Sequence, residues 1–239
     1  MSRLATAAWP DVRDRPLVLV PVGSVEQHGP HLPLDTDAVV AEGVAARVAQ
    51  LLGDEHVFVA PVVAYGASGE HQMFAGTSSI GTDALRLLVL ELVRSMSTWA
   101  GRIVLVNGHG GNVTALTGAV VRLLDEGRDV GWAPCTSDGG DAHAGYTETS
   151  LMLHLRPWAV RLDRAEPGNT TPLEKLWPAL LREGVAAVSA NGVLGEPAGA
   201  SRAAGARCLE AMAGDLAALI REGRTDSRGM LCRAEALAP

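Results

Sequence analysis

The sequence LVLVPV at residues 17–22 is a short and almost wholly apolar run. Such a run is typical of a β-strand that is buried on both faces, as in a parallel sheet. A second run of this kind, RIVLVN, covers residues 102–107 and leads directly into a glycine-rich turn. The two runs predict two buried strands of one parallel sheet.

Segments with helical spacing of apolar residues alternate with these strands. The first begins beside Asp35 and Thr36, either of which can cap a helix. The pattern predicts helices over 36–52, 81–99, 113–125 and 201–221, and further strands over 57–63 and 130–135. This alternation favours an α/β fold with a mostly parallel sheet, helices on both faces and right-handed crossovers. Residues 156–200 are rich in proline and glycine and give no clear pattern.

Length and composition narrow the classes of protein. A chain of 239 residues fits one α/β domain, which we expect to cover residues 1–239. A hydrophobic content of 47% excludes a disordered chain. The formal net charge of −7 argues against a nucleic-acid-binding surface, which needs excess lysine and arginine.

Three further sequence features indicate where in the cell the protein resides. No apolar run approaches the roughly 18 residues of a membrane span, so we expect no membrane partner. Residues 1–14 lack a basic region followed by a hydrophobic stretch, which argues against a signal peptide. Three cysteines, odd in number and far apart, favour free thiols over disulfides. These features predict a cytoplasmic protein.

Polar residues follow the predicted strands, where ligands of open parallel sheets bind. Glu26 and His28 come after the first strand, and their two-residue spacing places both side chains on one face of an extended segment. Asp37 lies near a helix start and can share its carboxylate between two ions, and His109 follows the strand at 102–107. Imidazole and carboxylate together suit zinc, iron or manganese, so the pattern predicts a metal centre.

The glycine-rich turn NGHGGN at residues 107–112 allows a second interpretation. It follows a strand and precedes a helix, the position of a phosphate-binding loop. It lacks both the GxGxxG spacing and the lysine of a P-loop, so this signal is weak. A nucleotide- or sugar-binding α/β module without catalysis therefore stays open as an alternative.

Three ordered motifs identify the chain as similar to the creatininase family. They are GSVEQHGPHLP at 23–33 followed by Asp37, NGHGGN at 107–112, and HAG at 143–145 followed by ETS at 148–150. The resemblance implies a three-layer α/β/α sandwich and metal-dependent hydrolysis of C–N bonds in amides. It also implies two divalent metal ions per subunit and a homo-oligomer such as a hexamer.

The resemblance also implies roles for single residues. Glu26, Asp37 and His109 match one metal site of the family. His28 and Asp37 match part of the other, so that Asp37 bridges the two ions.

The second site contains a departure from the family pattern. Creatininase itself has a glutamate two residues after the histidine, where this chain has Gly111. We expect Glu148 to complete the second site instead. The difference puts creatinine hydrolysis in doubt and is still compatible with a two-metal arrangement.

Two further sets of residues are candidates for catalysis and substrate binding. His143 is the candidate to give a proton to the leaving amine, because an imidazole of near-neutral pKa both gives and takes one. The alternative is a buried structural histidine. Glu70 and His71 are candidates to line the substrate entrance, with an ordinary exposed loop pair as the alternative.

Four other stretches resemble the branch of the family encoded with mycofactocin biosynthesis. They are SGEHQ at 68–72, ETSLMLHLRP at 148–157, GNTTPL at 168–173 and NGVLG at 191–195. The resemblance implies a peptidase that cuts the modified precursor peptide near its C-terminus and releases a dipeptide derived from Val-Tyr. The alternative within the family is hydrolysis of creatinine or of another small cyclic or formyl amide.

Overall fold

The computed structural model describes residues 2–53, 56–136 and 140–233 and has the expected α/β architecture. The strands are β1 (Ser2–Arg3), β2 (Leu17–Val22), β3 (Val57–Val59), β4 (Arg102–Asn107) and β5 (Val130–Pro134). The helices of four residues or more are α1 (Thr36–Leu52), α2 (Gly81–Met96), α3 (Val113–Asp125), α4 (Tyr146–Leu155), α5 (Leu173–Glu183) and α6 (Arg202–Glu222). Within the described residues, none of these helices is both long and apolar enough to cross a bilayer.

The five strands of the described residues form one parallel sheet in the order β1-β3-β2-β4-β5. From β2 the chain passes through α1 to β3 on one side, and then through α2 to β4 on the other side of β2. The direction of winding therefore reverses between β2 and β4. In open α/β sheets a crevice forms at such a reversal, outside the carboxyl ends of the strands, and ligands bind there.

The two central strands are buried on both faces, as their apolar runs predict. Val18, Val20 and Leu105 pack in a cluster with α2 and α3, whereas Leu19 and Val104 pack with α1 and α6. Successive side chains of a strand point to opposite faces, so each strand contributes to both clusters. The result is the three-layer α/β/α sandwich that the resemblance implies.

Some boundaries differ from the sequence prediction. The strand expected over 57–63 ends at Val59, because Pro61 has no N–H for the ladder, although Val63 still forms an isolated bridge with Val22. The helix expected to reach residue 99 ends at Met96. Helices α4 and α5 and the short strand β1 were not predicted, and α5 contains an internal proline, Pro178.

Helix α4 is held in place by a very close approach to α6. A Cβ atom built on Gly205 of α6 would lie 1.8 Å from the backbone oxygen of Ser150 in α4. Only glycine fits such a contact. The first turn of α4 contains Glu148, so this packing sets the position of a predicted site residue.

Candidate metal centre

The predicted site residues converge at the carboxyl edge of the sheet. Glu26 and His28 follow β2, and His109 follows β4, so they lie on either side of the crevice where the winding reverses. Asp37 enters from the first turn of α1, and Glu148 from the first turn of α4. All of these side chains except Glu148 are at most 7% exposed.

Asp37 lies between two of the histidines. Its Oδ1 is 3.0 Å from Nε2 of His28, and its Oδ2 is 3.4 Å from Nδ1 of His109. Each oxygen of the carboxylate therefore faces a different imidazole. This is the geometry that a bridging carboxylate needs.

Glu26 is approached by imidazoles from three other segments of the chain. Its Oε1 is 3.2 Å from Nδ1 of His109, 3.2 Å from Nε2 of His71 and 3.9 Å from Nδ1 of His143. Among the described residues, three overlapping sets of potential ligand atoms lie within 4.8 Å of one another. They are Glu26, His71 and His143; His28, His143 and Glu148; and Glu26, His28 and Asp37.

The buried carboxylate oxygens test whether this donor set fits metal ions. Glu26 Oε2 and Asp37 Oδ2 are buried, and within the described residues neither has a hydrogen-bond partner. A buried anionic oxygen without a donor costs considerable free energy unless a cation satisfies it. Hard carboxylate oxygens beside imidazole nitrogens are ligands that suit zinc, manganese and iron. The residues therefore fit the divalent ions that the resemblance implies.

The charges at the centre follow from burial and from the paired groups. Burial opposes protonation of His28, but Asp37 and then Glu148 outweigh it and raise the pKa of His28 to about 10. Burial, reinforced by Glu26, raises the pKa of Asp37 to about 6. The pKa of His28 rises because of the carboxylates that face it, whereas the pKa of Asp37 rises because it is buried beside a second carboxylate. Near neutral pH the proton therefore lies on His28, in a place where a bound cation would displace it.

The other titratable groups of the centre also have shifted pKa values. Burial would raise the pKa of Glu26, but the neighbouring His109 outweighs burial and lowers this pKa. Burial opposes protonation of His109, but Glu26 outweighs burial and raises the pKa of His109 well above its usual value. Burial lowers the pKa of His71 to about 3, and burial together with His28 lowers the pKa of His143. His71 and His143 are therefore neutral imidazoles near neutral pH.

Glu148 lies at the outer side of the centre. Its Oε2 accepts a 2.6 Å hydrogen bond from the N–H of Ala144 and is 3.9 Å from Nε2 of His28. Ala144 has a φ of +53°, a left-handed conformation that is costly for alanine and that directs this N–H at the carboxylate. The position is compatible with the predicted ligand role of Glu148, which stays a prediction.

The predicted entrance residues lie closer to the candidate ligands than expected. His71 is buried and contacts Glu26, and Glu70 is the more exposed of the pair. Glu70 Oε1 is 3.3 Å from Nε2 of His109, on the side of the ring away from Glu26. A Cβ atom on Gly111 would lie 2.5 Å from this same oxygen, so Glu70 occupies space that a side chain at position 111 would need.

Several residues that shape the centre had no role in the sequence prediction. Asn112 donates to the backbone oxygen of Gly23 and to Oδ1 of Asn107, which ties the loops after β2 and β4 together. Gln27 lies between His71 and His143. The motifs already contain these amides, but their role follows only from the spatial proximity of segments far apart in the chain.

A parallel sheet with buried imidazoles and carboxylates at its reversal crevice fits the class of α/β enzymes that use divalent metal ions. Residues 5–220 match the creatininase family, which is described as creatinine amidohydrolase. The chain belongs to the creatininase family.

Curated relatives divide into two levels of similarity. The mycofactocin precursor peptide peptidases of Mycobacterium tuberculosis and Mycolicibacterium smegmatis are 53% and 54% identical, and each match covers 90% of this chain and 89% of the relative. The creatinine amidohydrolase of Pseudomonas putida is 32% identical, with 86% of this chain and 89% of the relative covered.

Solved structures agree with the fold. A mutant creatininase of the Zn-Zn type has a TM-score of 0.77 at 29% identity, and a manganese creatininase has 0.75 at 28%. Each match covers 93% of this chain and 98% of the other chain. A putative creatinine amidohydrolase from Bacteroides fragilis has a TM-score of 0.80 at 24% identity, covering 94% and 97%, which supports the fold alone.

Proposed function

We propose that the chain is a metal-dependent peptidase that hydrolyses the modified mycofactocin precursor peptide near its C-terminus. The product would be the dipeptide core derived from Val-Tyr. The main support is the 53% identity over 90% of the chain to peptidases of this name, against 32% to a creatinine amidohydrolase. The buried imidazole and carboxylate cluster supplies the chemistry that such a hydrolase needs.

We propose that two divalent ions bind at this centre. Glu26, Asp37 and His109 would hold one ion, and His28, Asp37 and Glu148 the other. The orphaned oxygens of Glu26 and Asp37 support this assignment. When bound, the ions supply Lewis acidity, which polarises the scissile carbonyl and activates water. Zinc, manganese and iron all suit this donor set.

His143 is the proposed proton carrier. Hydrolysis adds a hydroxyl group to the carbonyl carbon and a proton to the leaving amine as the C–N bond breaks. Nδ1 of His143 faces Glu26 within the centre, and the neutral ring can take a proton from water and pass it to the amine. The location of His143 inside the cluster, rather than in the apolar core, supports this role over a purely structural one.

Gly111 separates the proposed reaction from creatinine hydrolysis. Where creatininase itself has a glutamate, the region beside His109 contains the carboxylate of Glu70, which comes from a different segment. The ligand environment and the shape of the centre on that side therefore differ from those of creatininase. This favours the peptide over creatinine as substrate.

Parallel incubations test the proposal. The zinc-loaded protein is mixed with the modified precursor peptide in one tube and with creatinine in another, and the products are read by mass spectrometry. We expect the dipeptide fragment in the first tube and unchanged creatinine in the second. Elemental analysis should give about two metal equivalents per chain, a stoichiometry that a nucleotide- or sugar-binding module would not explain. Creatine without peptide cleavage would contradict the proposed substrate.

We also propose a homo-oligomer, such as a hexamer, in the cytoplasm. The basis is the membership in the creatininase family, and large exposed side chains such as Trp9, Trp158 and Leu181, which are 87%, 81% and 71% exposed, are available for contacts between copies. All three cysteines are free thiols, which fits a reducing compartment. Light scattering after gel filtration measures the subunit number, and a monomer at micromolar concentration would contradict the first part.

A further inference from the structure

Gln27 is a buried amide whose orientation is set by the backbone. The N–H of Gly29 donates to its Oε1 at 2.8 Å, and its Nε2 donates to the backbone oxygen of Gly192 at 3.0 Å. A backbone N–H can only donate and a carbonyl oxygen can only accept. The oxygen and the nitrogen of the Gln27 side chain are therefore distinguished by their partners.

The fixed amide determines the state of His71. Nε2 of Gln27 is 2.9 Å from Nδ1 of His71, and because that nitrogen of Gln27 is a donor, Nδ1 must accept. A neutral imidazole with a lone pair on Nδ1 has its proton on Nε2. Nε2 is the atom of His71 that lies 3.2 Å from Glu26. His71 therefore presents an N–H to the centre.

The backbone of the same residue determines the state of His143. Nε2 of His143 is 2.9 Å from the backbone oxygen of Gln27, which can only accept, so Nε2 holds the proton. The lone pair of the neutral ring is then on Nδ1, the atom that faces Glu26. Nε2 of His143 also lies 3.0 Å from Nε2 of Gln27, but that amide has only two protons for three neighbours. His71 Nδ1 and the Gly192 oxygen take these two protons, because Nε2 of His143 has the backbone oxygen of Gln27 as its own acceptor.

We infer that Gln27 is a positioning residue that fixes His71 and His143 as Nε2–H tautomers in opposite orientations. His71 turns an N–H toward Glu26, whereas His143 turns a lone pair toward it. His71 is thereby excluded as a metal ligand although its ring lies among the potential ligands. His143 is left with the nitrogen that can receive a proton. Only this consequence for turnover rests on the proposed function.

The surrounding chain is built to accommodate this amide. A Cβ atom on Gly192 would lie 1.9 Å from Oε1 of Gln27, and Gly192 has a φ of +80°, which favours glycine. The N–H of Gln27 is also held, at 3.2 Å, by Oγ1 of Thr77. The NGVLG stretch at 191–195, which also pairs with the backbone of His143 through Leu194, thus supplies both the space and one of the acceptors for Gln27.

Nitrogen-15 NMR of the zinc-loaded protein, labelled only at histidine, tests the inference without any substrate. Signals are assigned by single-histidine substitutions, and long-range proton–nitrogen couplings identify the tautomer of each ring. We expect Nε2–H patterns for His71 and His143 in the wild type. In Gln27→Glu the carboxylate can only accept, so His71 should change to the Nδ1–H pattern, while His143 should keep Nε2–H because its partner is a backbone oxygen.

The matched control is Gln72→Glu, which makes the same change at an exposed position next to His71. It should leave both patterns and the peptidase turnover at their wild-type values, whereas Gln27→Glu should lose about 10–100-fold in turnover. If Gln27→Glu does not fold, Gln27→Met removes the donor without a charge, and the pure Nε2–H pattern of His71 should then be lost. An Nδ1–H pattern for His71 in the wild type would overturn the inference. So would an unchanged His71 pattern in the folded Gln27 variant.

Discussion

Gly111→Ala is the substitution that tests the centre most directly. Its Cβ would lie 2.4 Å from the backbone oxygen of Ala67 and 2.4 Å from Nε2 of His109. Restoring a separation of 3.0 Å requires a shift of about 0.6 Å, and a backbone oxygen moves less easily than a ring. The imidazole of His109 should therefore be pushed toward Glu26 and Asp37, from which it is separated by 3.2 and 3.4 Å.

The expected loss follows from this displacement. A misplacement of about 1 Å can cost about 100-fold in rate, so a somewhat smaller shift should lower kcat/KM by about 10–100-fold. This loss corresponds to about 1.4–2.7 kcal/mol of transition-state stabilisation. Steady-state cleavage of the precursor peptide gives kcat/KM, and elemental analysis of the same sample shows whether metal is lost.

Gly110→Ala is the matched control on the adjacent residue. A Cβ there meets no atom within 4 Å, so we expect kcat/KM within about 0.5 kcal/mol of the wild type. Equal kcat/KM values for the two alanine variants would refute the reasoning, because His109 would then tolerate displacement and would not be a positioned ligand.

Four other substitutions, one of them with a matched control, probe the centre, the packing of α4 and a surface ion pair. Asp37→Ala should abolish turnover and also remove the stabilisation by zinc. In the wild type, zinc at a hundredfold excess over Kd should add about 2.7 kcal/mol to the free energy of unfolding, which calorimetry should show as a rise in Tm of about 5–11 °C. Glu148→Gln should lower metal content from about two equivalents per chain toward one, and full occupancy would reassign the ligand. Gly205→Ala should lower Tm by about 2–12 °C through overpacking, whereas Gly214→Ala, on the same helix with open space around its Cβ, should raise it slightly. Hydrogen bonds from two arginines lower the pKa of Glu126 from 4.5 to about 2. Glu126→Gln should therefore lower the free energy of unfolding in urea at pH 7. This difference from the wild type should shrink as the pH falls from 4.5 toward 2, because Glu126 is then protonated.

The elements with a clear pattern of apolar residues were predictable from the sequence. The runs at 17–22 and 102–107 form the central strands because strands covered on both faces must be apolar at every position. Helix α4 was missed because its two buried sides leave little contrast between faces. Helix α5 was missed because Pro178 argues against a helix interior, although neighbouring residues sustain one.

The sequence predicted which residues belong to the candidate site but not how deeply they are buried. Glu26 and His28 were predicted from their spacing, and the structure brings both to one cluster. Asp35 or Thr36 was expected to cap α1; Asp35 occupies the N-cap position, but its side chain pairs with Arg156 at 2.7 Å instead of capping the helix. The burial of His71 depends on where a loop after β3 meets β2, and local sequence does not contain that information.

The spread of the centre along the chain has a consequence for biosynthesis. Its members lie between residues 26 and 148, and the helix that carries Glu148 packs on α6, which begins at Arg202. A nascent chain therefore lacks the helix that positions Glu148 until α6 has left the ribosome. Such non-local contacts form slowly, since distant segments must meet first. We therefore expect the proposed cations to bind finished chains rather than growing ones.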